Sequence, residues 1–226
     1  MRVKLALAAF VCAMVFASQA SAAVIFSQDF ESGLGGNEST GGSFVINGTG
    51  FGNNGTLMMG HASAYGNDEY SFYQVVLDLT GSVNSAMSFD YRGSFETHFD
   101  RFNVQAAIGA VAPPGDLLSP TGASTMQYFI DNHPHQPNLG NIYYDTSAGT
   151  GGASGVALFD LSAFDNQANV NLRFQFGSDG SVIAPGFNMD NLQVTADSTV
   201  PEPTSLMLLG SGVLALSRRL RRRREA

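Results

Sequence analysis

The strongest constraint on this chain is the spacing of its apolar residues between positions 23 and 200. They come in short β-branched and aromatic runs, each closed by Gly, Asn, Asp or Ser. In Asn171-Leu172-Arg173-Phe174-Gln175-Phe176 every second side chain is apolar. A period of two sends one set of side chains to a core and the other toward water. The same reasoning predicts strands near 24–30, 43–46, 56–59, 72–79, 86–91, 102–108, 125–130, 142–144, 156–161, 169–176 and 186–194. Between them, 33–42, 48–55 and 148–155 are rich in Gly, Asn, Ser and Thr and read as loops. The long segments of 3.6-residue periodicity that a helical fold needs are missing. The expected body is therefore all-β, a two-sheet antiparallel sandwich. It spans about 178 residues, enough for one domain with its own core, and shows no internal repeat.

Charge divides the chain into three unlike parts. The first residues carry Arg2 and Lys4 without an acid, and the segment from Pro201 onward carries six arginines against Glu202 and Glu225. The stretch between has only Arg92, Arg101 and Arg173 against seventeen acids, a net charge of −14. Such a body repels phosphate backbones and anionic headgroups, which argues against nucleic acid as its partner. Divalent cations or simple solubility are the better reasons for the acidity.

The N-terminus joins two early cations, an apolar stretch from Leu5 to Ala17 and the small-residue triplet Ala20-Ser21-Ala22. This is the pattern of a signal peptide over residues 1–22, cut after Ala22 and too short for a permanent span. Cys12, the single cysteine, lies within it. The mature chain then has no thiol for a disulfide, a thiolate metal site or a cysteine nucleophile.

Three body segments carry a family resemblance: FSQDFESGLGG, MSFDYRGSFETHFDRFNVQ and FDLSAFDNQANVNLRFQFGSDGSVIAPGFNMDNLQV. Together they resemble the landmarks of jelly-roll modules of the carbohydrate-binding and MAM-like kind. The resemblance implies a jelly-roll topology for residues 23–199. It also implies a structural calcium held by Asp29 and Glu31 of the first strand and Asp190 of the closing strand. Carboxylate oxygens suit that ion, with loop carbonyls completing six to eight ligands. Taken alone, the same acids are equally solvated strand-end residues. Glu96 and Asp100 follow an E-x-x-x-D pattern of the related modules; flanked by Arg92 and Arg101, they are expected to form ion pairs rather than bind a cation. His133 and His135 sit in a proline-interrupted loop, while His61 and His98 have no partner at ligand spacing.

Catalytic signatures were sought and not found. The chain has no E-x-D-x-x-E arrangement of jelly-roll glycosidases, no G-x-S-x-G elbow, no H-E-x-x-H helix, no EF-hand loop and no phosphate loop. The expectation is a non-enzyme. For glycan binding, tryptophan is absent, so tyrosines would have to supply the stacking faces. The candidates are Tyr65, Tyr70, Tyr73, Tyr143 and Tyr144, with Tyr128 beside them; as core or sheet-face residues they would have no such role. The Asn37, Asn47 and Asn54 sequons reflect loop composition.

The C-terminus orders Val200-Pro201-Glu202-Pro203, an apolar run from Ser205 to Leu216, and the cluster Arg218, Arg219, Arg221, Arg222, Arg223 and Arg224. The apolar run is a short membrane helix: about 14 residues from Thr204 to Ser217 reach roughly 21 Å. That falls short of the roughly 30 Å hydrocarbon core, so it serves as a transient anchor oriented by its cations. The order resembles the PEP-CTERM sorting signal, here over residues 200–226. Pro201, Glu202 and Pro203 would be the recognition motif and the arginines the retention cluster. The resemblance implies an exosortase partner, passing contact with the inner membrane of a Gram-negative bacterium, removal of the tail, and delivery to the cell surface or an exopolysaccharide matrix. The functional expectation is an exported structural or adhesive component, with a polysaccharide-binding lectin as the alternative and an envelope hydrolase the remaining one.

Overall fold

A computed structural model describes residues 22–49, 56–96, 99–109, 116–121, 128–130, 142–144 and 153–198. The signal segment and the sorting tail, with their expected helices, lie outside the described residues, as do His98, His133 and His135. Among the described residues no helix is long and apolar enough to cross a membrane.

The body is a sandwich of two antiparallel sheets. Sheet 1 runs in the order β11 (Ala153–Asp160), β6 (Ser82–Ser94), β13 (Gly186–Ser198), β4 (Met58–His61) and β3 (Phe44–Asn47). Strand β1 (Ala23–Gln28) is also paired to β13. Sheet 2 runs β2 (Glu38–Gly41), β5 (Tyr70–Leu77), β12 (Val170–Gly177), β7 (Arg101–Ile108), β10 (Ile142–Tyr144) and β9 (Tyr128–Ile130), with β8 (Asp116–Leu117) beside β7. The first and last strands of the body thus pair with each other, and the topology is that of a jelly roll.

Alternation explains the packing. Val170, Leu172, Phe174 and Phe176 of β12 point inward with Phe102, Val104 and Ala106 of β7 and with Tyr73, Val75 and Leu77 of β5. From sheet 1 they meet Met87 and Phe89 of β6, Phe159 of β11 and Phe187, Met189, Leu192 and Val194 of β13. Phe102 and Phe187 stack across the sandwich with centroids 3.6 Å apart. Phe89 is stacked on Phe159 and edge-on to Phe174. Burial of each such ring contributes about 1.5–3 kcal/mol, so sheet-to-sheet adhesion is chiefly aromatic.

The opposite parity of sheet 2 is polar. Register places Phe72, Gln175 and Asn103 side by side, and likewise Gln74, Arg173 and Gln105. A third row is Val76, Asn171 and Ala107, and a fourth is Tyr70, Gly177 and Arg101. No outward position of β5, β12 or β7 holds a carboxylate, despite the acidity of the body.

Strand β13 breaks register between Asp190 and Gln193, and Asn191 takes φ 50°. The bulge lets Met189 and Leu192 both face the core and turns Asp190 and Asn191 to the outer side of sheet 1.

Candidate functional site

On that outer side Asp190 lies opposite Asp90 of β6. Asp190 Oδ1 accepts the Asn191 N–H at 2.7 Å, and the Asn191 side-chain amide donates to Asp90 Oδ2 at 2.8 Å. Glu31, just beyond β1, accepts the Leu57 N–H at 3.1 Å and donates its own N–H to Asp29 Oδ1. Burial pushes the Asp190 carboxyl above the usual range against the pull of the Asn191 N–H, with the charges of Asp90, Glu31 and Asp29 adding to the rise. The fold therefore brings the three sequence-expected calcium acids into mutual electrostatic contact and adds Asp90, which sequence reasoning missed. Its signal was present only in register, since Asp90 and Asp190 are far apart in the chain. These like charges repel one another, although no three of the four acids bring carboxylate oxygens within 4.8 Å of one another.

The carboxylate oxygens that lie within 4.8 Å of one another among the described residues belong to a different set, Glu96, Asp100 and Asp179. Asp100 is fully buried. It accepts the Tyr65 hydroxyl and the backbone N–H groups of Glu96 at 3.1 Å and Asp179 at 3.0 Å. Burial raises its pKa to about 6 in spite of those donors, and burial and then Asp179 raise Glu96. Crowded like charges favour keeping a proton here. The expected pairing of Glu96 and Asp100 with Arg92 and Arg101 does not form. Among the described residues no arginine lies at ion-pair distance from a carboxylate, and the close basic–acidic contact is the hydrogen bond of His61 with Glu69. The reason is direction: Arg92 projects from the outer face of sheet 1 beside Asp90 and Asp190, and Arg101 from the outer face of sheet 2.

His61 is buried, accepts the Phe187 N–H at Nδ1 and meets Glu69 through Nε2 at 2.8 Å. Those partners assign the neutral tautomer with the proton on Nε2. Burial alone would raise Glu69, but the bonds from His61, Ser71 and the Gly66 N–H hold it down at about 2. Ser71 donates straight to Glu69 at 2.5 Å, so no base stands between hydroxyl and acid. The group braces the core and does not activate a nucleophile.

The glycan candidates separate by face. Tyr65 and Tyr73 are 2% and 0% exposed and are core residues. Their hydroxyls donate to Asp100 and Glu38, and burial pushes both phenols far above their ordinary range. A sugar cannot stack on either, which corrects that expectation. Tyr70 stands half-buried on the outer face of sheet 2 and donates to Gln175 Oε1 at 2.8 Å. Tyr143 and Tyr144 are placed by register on β10, which pairs with β7, and Tyr128 on β9, beyond β10; their side chains lie outside the described residues.

Around Tyr70 the outer face of sheet 2 carries an ordered polar cluster, half-exposed at Phe72, Gln74 and Arg173 and buried at Arg101, Asn103 and Gln105. The Arg173 guanidinium lies 4.3 Å from the Phe72 ring centroid and donates from Nε to Gln74 Oε1 at 3.0 Å. Gln74 in turn donates to Asn171 Oδ1 at 3.0 Å. Gln175 is fully buried, and its Nε2 has no hydrogen-bond partner.

No curated protein matches the chain. Among solved structures, the K3 cleaved adhesin domain of Lys-gingipain from Porphyromonas gingivalis aligns at 10% identity and a TM-score of 0.47, covering 76% of this chain and 98% of that one. The CBM22-1 xylan-binding domain from Paenibacillus barcinonensis aligns at 12% identity and 0.42, covering 81% and 100%. A family 11 carbohydrate-binding module from Clostridium thermocellum, in complex with a β-1,3-1,4-mixed-linked tetrasaccharide, aligns at 13% and 0.39, covering 80% and 98%. At such values nothing about ligands passes to this chain. The C-terminus is specific: residues 199–223 match the PEP-CTERM protein-sorting motif. The chain thus carries the PEP-CTERM sorting signal, which marks a secreted protein sorted to the cell surface.

Proposed function

We propose that the chain is a non-catalytic surface module of a Gram-negative bacterium. It is exported by residues 1–22, retained and trimmed through residues 200–226 by an exosortase-type enzyme, and left as the sandwich of residues 23–199 at the cell surface or in its exopolysaccharide matrix. The sandwich holds polysaccharide against the outer face of sheet 2. A calcium ion held by Asp29, Glu31, Asp90 and Asp190 ties the first strand to the closing one.

The observation that carries the binding role is the sheet 2 face: Tyr70 and Phe72 supply rings, Gln74 and Arg173 supply donors, and Gln175 keeps a buried amide without a partner. Aromatic faces with amides beside them suit sugar rings and their hydroxyls.

The test is expression of the full chain in a host that contains an exosortase, with wild-type and Pro201→Ala/Glu202→Ala/Pro203→Ala forms compared by intact mass and by their partition with extracellular polysaccharide. The wild-type product should lose both ends and sediment with the polysaccharide, whereas the motif variant keeps its tail and stays in the membrane fraction. A wild-type product that keeps its tail would sink the processing reading, and a trimmed product that remains free in solution would sink the binding reading.

A further inference from the structure

Resting on that reading, we propose that Arg173 anchors a carboxylate-recognising subsite on the outer face of sheet 2, and that the polysaccharide bound there bears uronic acids. Arginine is scarce in this body, and Arg173 projects half-exposed from this face, on which Arg101 is fully buried and no outward position of β5, β12 or β7 is acidic. The Asp29, Glu31, Asp90 and Asp190 carboxylates belong instead to the sheet 1 side, with Arg92 beside them.

The Arg173 guanidinium is preorganised. Phe72 fixes its plane, Gln74 takes the Nε hydrogen, and the Tyr70 hydroxyl lies 3.5 Å from Nη1. The Phe72 stacking and the Gln74 bond hold the plane of the guanidinium, a group that grips a carboxylate with two parallel hydrogen bonds. No carboxylate among the described residues lies at ion-pair distance from it. Gly41 makes the platform possible, since a Cβ there would fall 2.4 Å from the Phe72 ring. Beside the guanidinium, the half-buried Gln74 amide and Tyr70 hydroxyl offer polar groups to the hydroxyls of the same or the adjoining sugar. A neutral glycan would use the rings and amides and leave the fork idle; a uronate uses all three.

The experiment is calorimetric titration of the trimmed protein, in monovalent-salt buffer, with galacturonate, glucuronate and mannuronate oligosaccharides and with their carboxyl-reduced counterparts. Wild type should prefer at least one uronate over its reduced form by about tenfold or more. Arg173→Gln should erase that preference, leaving the uronate bound no more tightly than its reduced form. Arg173→Lys, which keeps the charge and loses the fork, should retain only part of it, and it serves as the second variant if Arg173→Gln fails to fold. Equal binding of uronate and reduced forms overturns the inference and leaves polysaccharide binding standing. Failure of every oligosaccharide to bind overturns both. Tighter binding of an acidic peptide than of any uronate also overturns it, by making the carboxylate source a protein.

Discussion

Asp100 shows how one buried side chain shapes the behaviour of the molecule with pH. Its folded-state pKa of about 6 lies above the 3.8 of a free carboxyl. The native state therefore holds this proton more tightly than the unfolded chain does. The resulting stability is complete below about pH 4 and is lost as pH rises through 6. Glu69 works in the opposite sense. Its pKa of about 2 against 4.5 gives stability that is present above pH 4.5 and lost as pH falls through 2. From these two groups the body is most stable near pH 4. Asp100→Asn keeps an oxygen for the Tyr65 hydroxyl and removes the titration, so its melting temperature relative to wild type should climb between pH 4 and pH 8. Thermal melts across that range check this, and a constant difference would mean that Asp100 is ionised throughout.

At the scale of strands, Gly60 of β4 decides whether β4 can lie against β13. It takes φ 149°, and a Cβ there would meet the Phe187 carbonyl oxygen at 2.1 Å. Backbone cannot yield as a flexible side chain does, so Gly60→Ala should destabilise by about 3 kcal/mol or more, measured by urea denaturation. Strands of β-branched and aromatic residues were legible in the sequence because alternation is a property of the strand itself. Strand β2, Glu38–Gly41, was not: Glu-Ser-Thr-Gly reads as loop, and the segment becomes a strand only by pairing with β5. Period two also states that a strand has two faces without stating which is inside. Tyr70 and Tyr73 are an odd number of residues apart and so occupy opposite faces, a relation that the sequence contained and that excluded them from one common stacking surface. The alternations Arg101, Asn103, Gln105 and Asn171, Arg173, Gln175 were likewise written in the chain. Register alone assembles them with Phe72 and Gln74 into one surface, and register depends on strand pairing that no single segment encodes.

At the scale of the whole molecule, the charge partition seen in the sequence becomes geometry. On the proposed reading the cationic ends serve export and sorting, while in the body Asp29, Glu31, Asp90 and Asp190 gather where the first and last strands meet. A calcium ion at Asp29, Glu31, Asp90 and Asp190 should raise the melting temperature. At a hundredfold excess over the dissociation constant the gain is about 2.7 kcal/mol, which corresponds to about 5–10 °C for a body of this size. Asp190→Asn should melt above wild type in chelator, because it removes a charge that burial and three like charges disfavour. In calcium it should melt below wild type. Identical melting of wild type with calcium and with chelator would leave these acids as unpaired surface charge.

The central claim is that the outer face of sheet 2 is where this protein meets its ligand, and an NMR titration of the trimmed, isotope-labelled protein with matrix polysaccharide tests it most directly. The account predicts that the side-chain amide resonances of Gln74 and Gln175 and the Arg173 Nε–H shift together and saturate, with the resonances of Asn191 and Leu192 unmoved. Saturable shifts confined to Asn191, Leu192 and their neighbours on sheet 1, with Gln74, Gln175 and Arg173 silent, would contradict it.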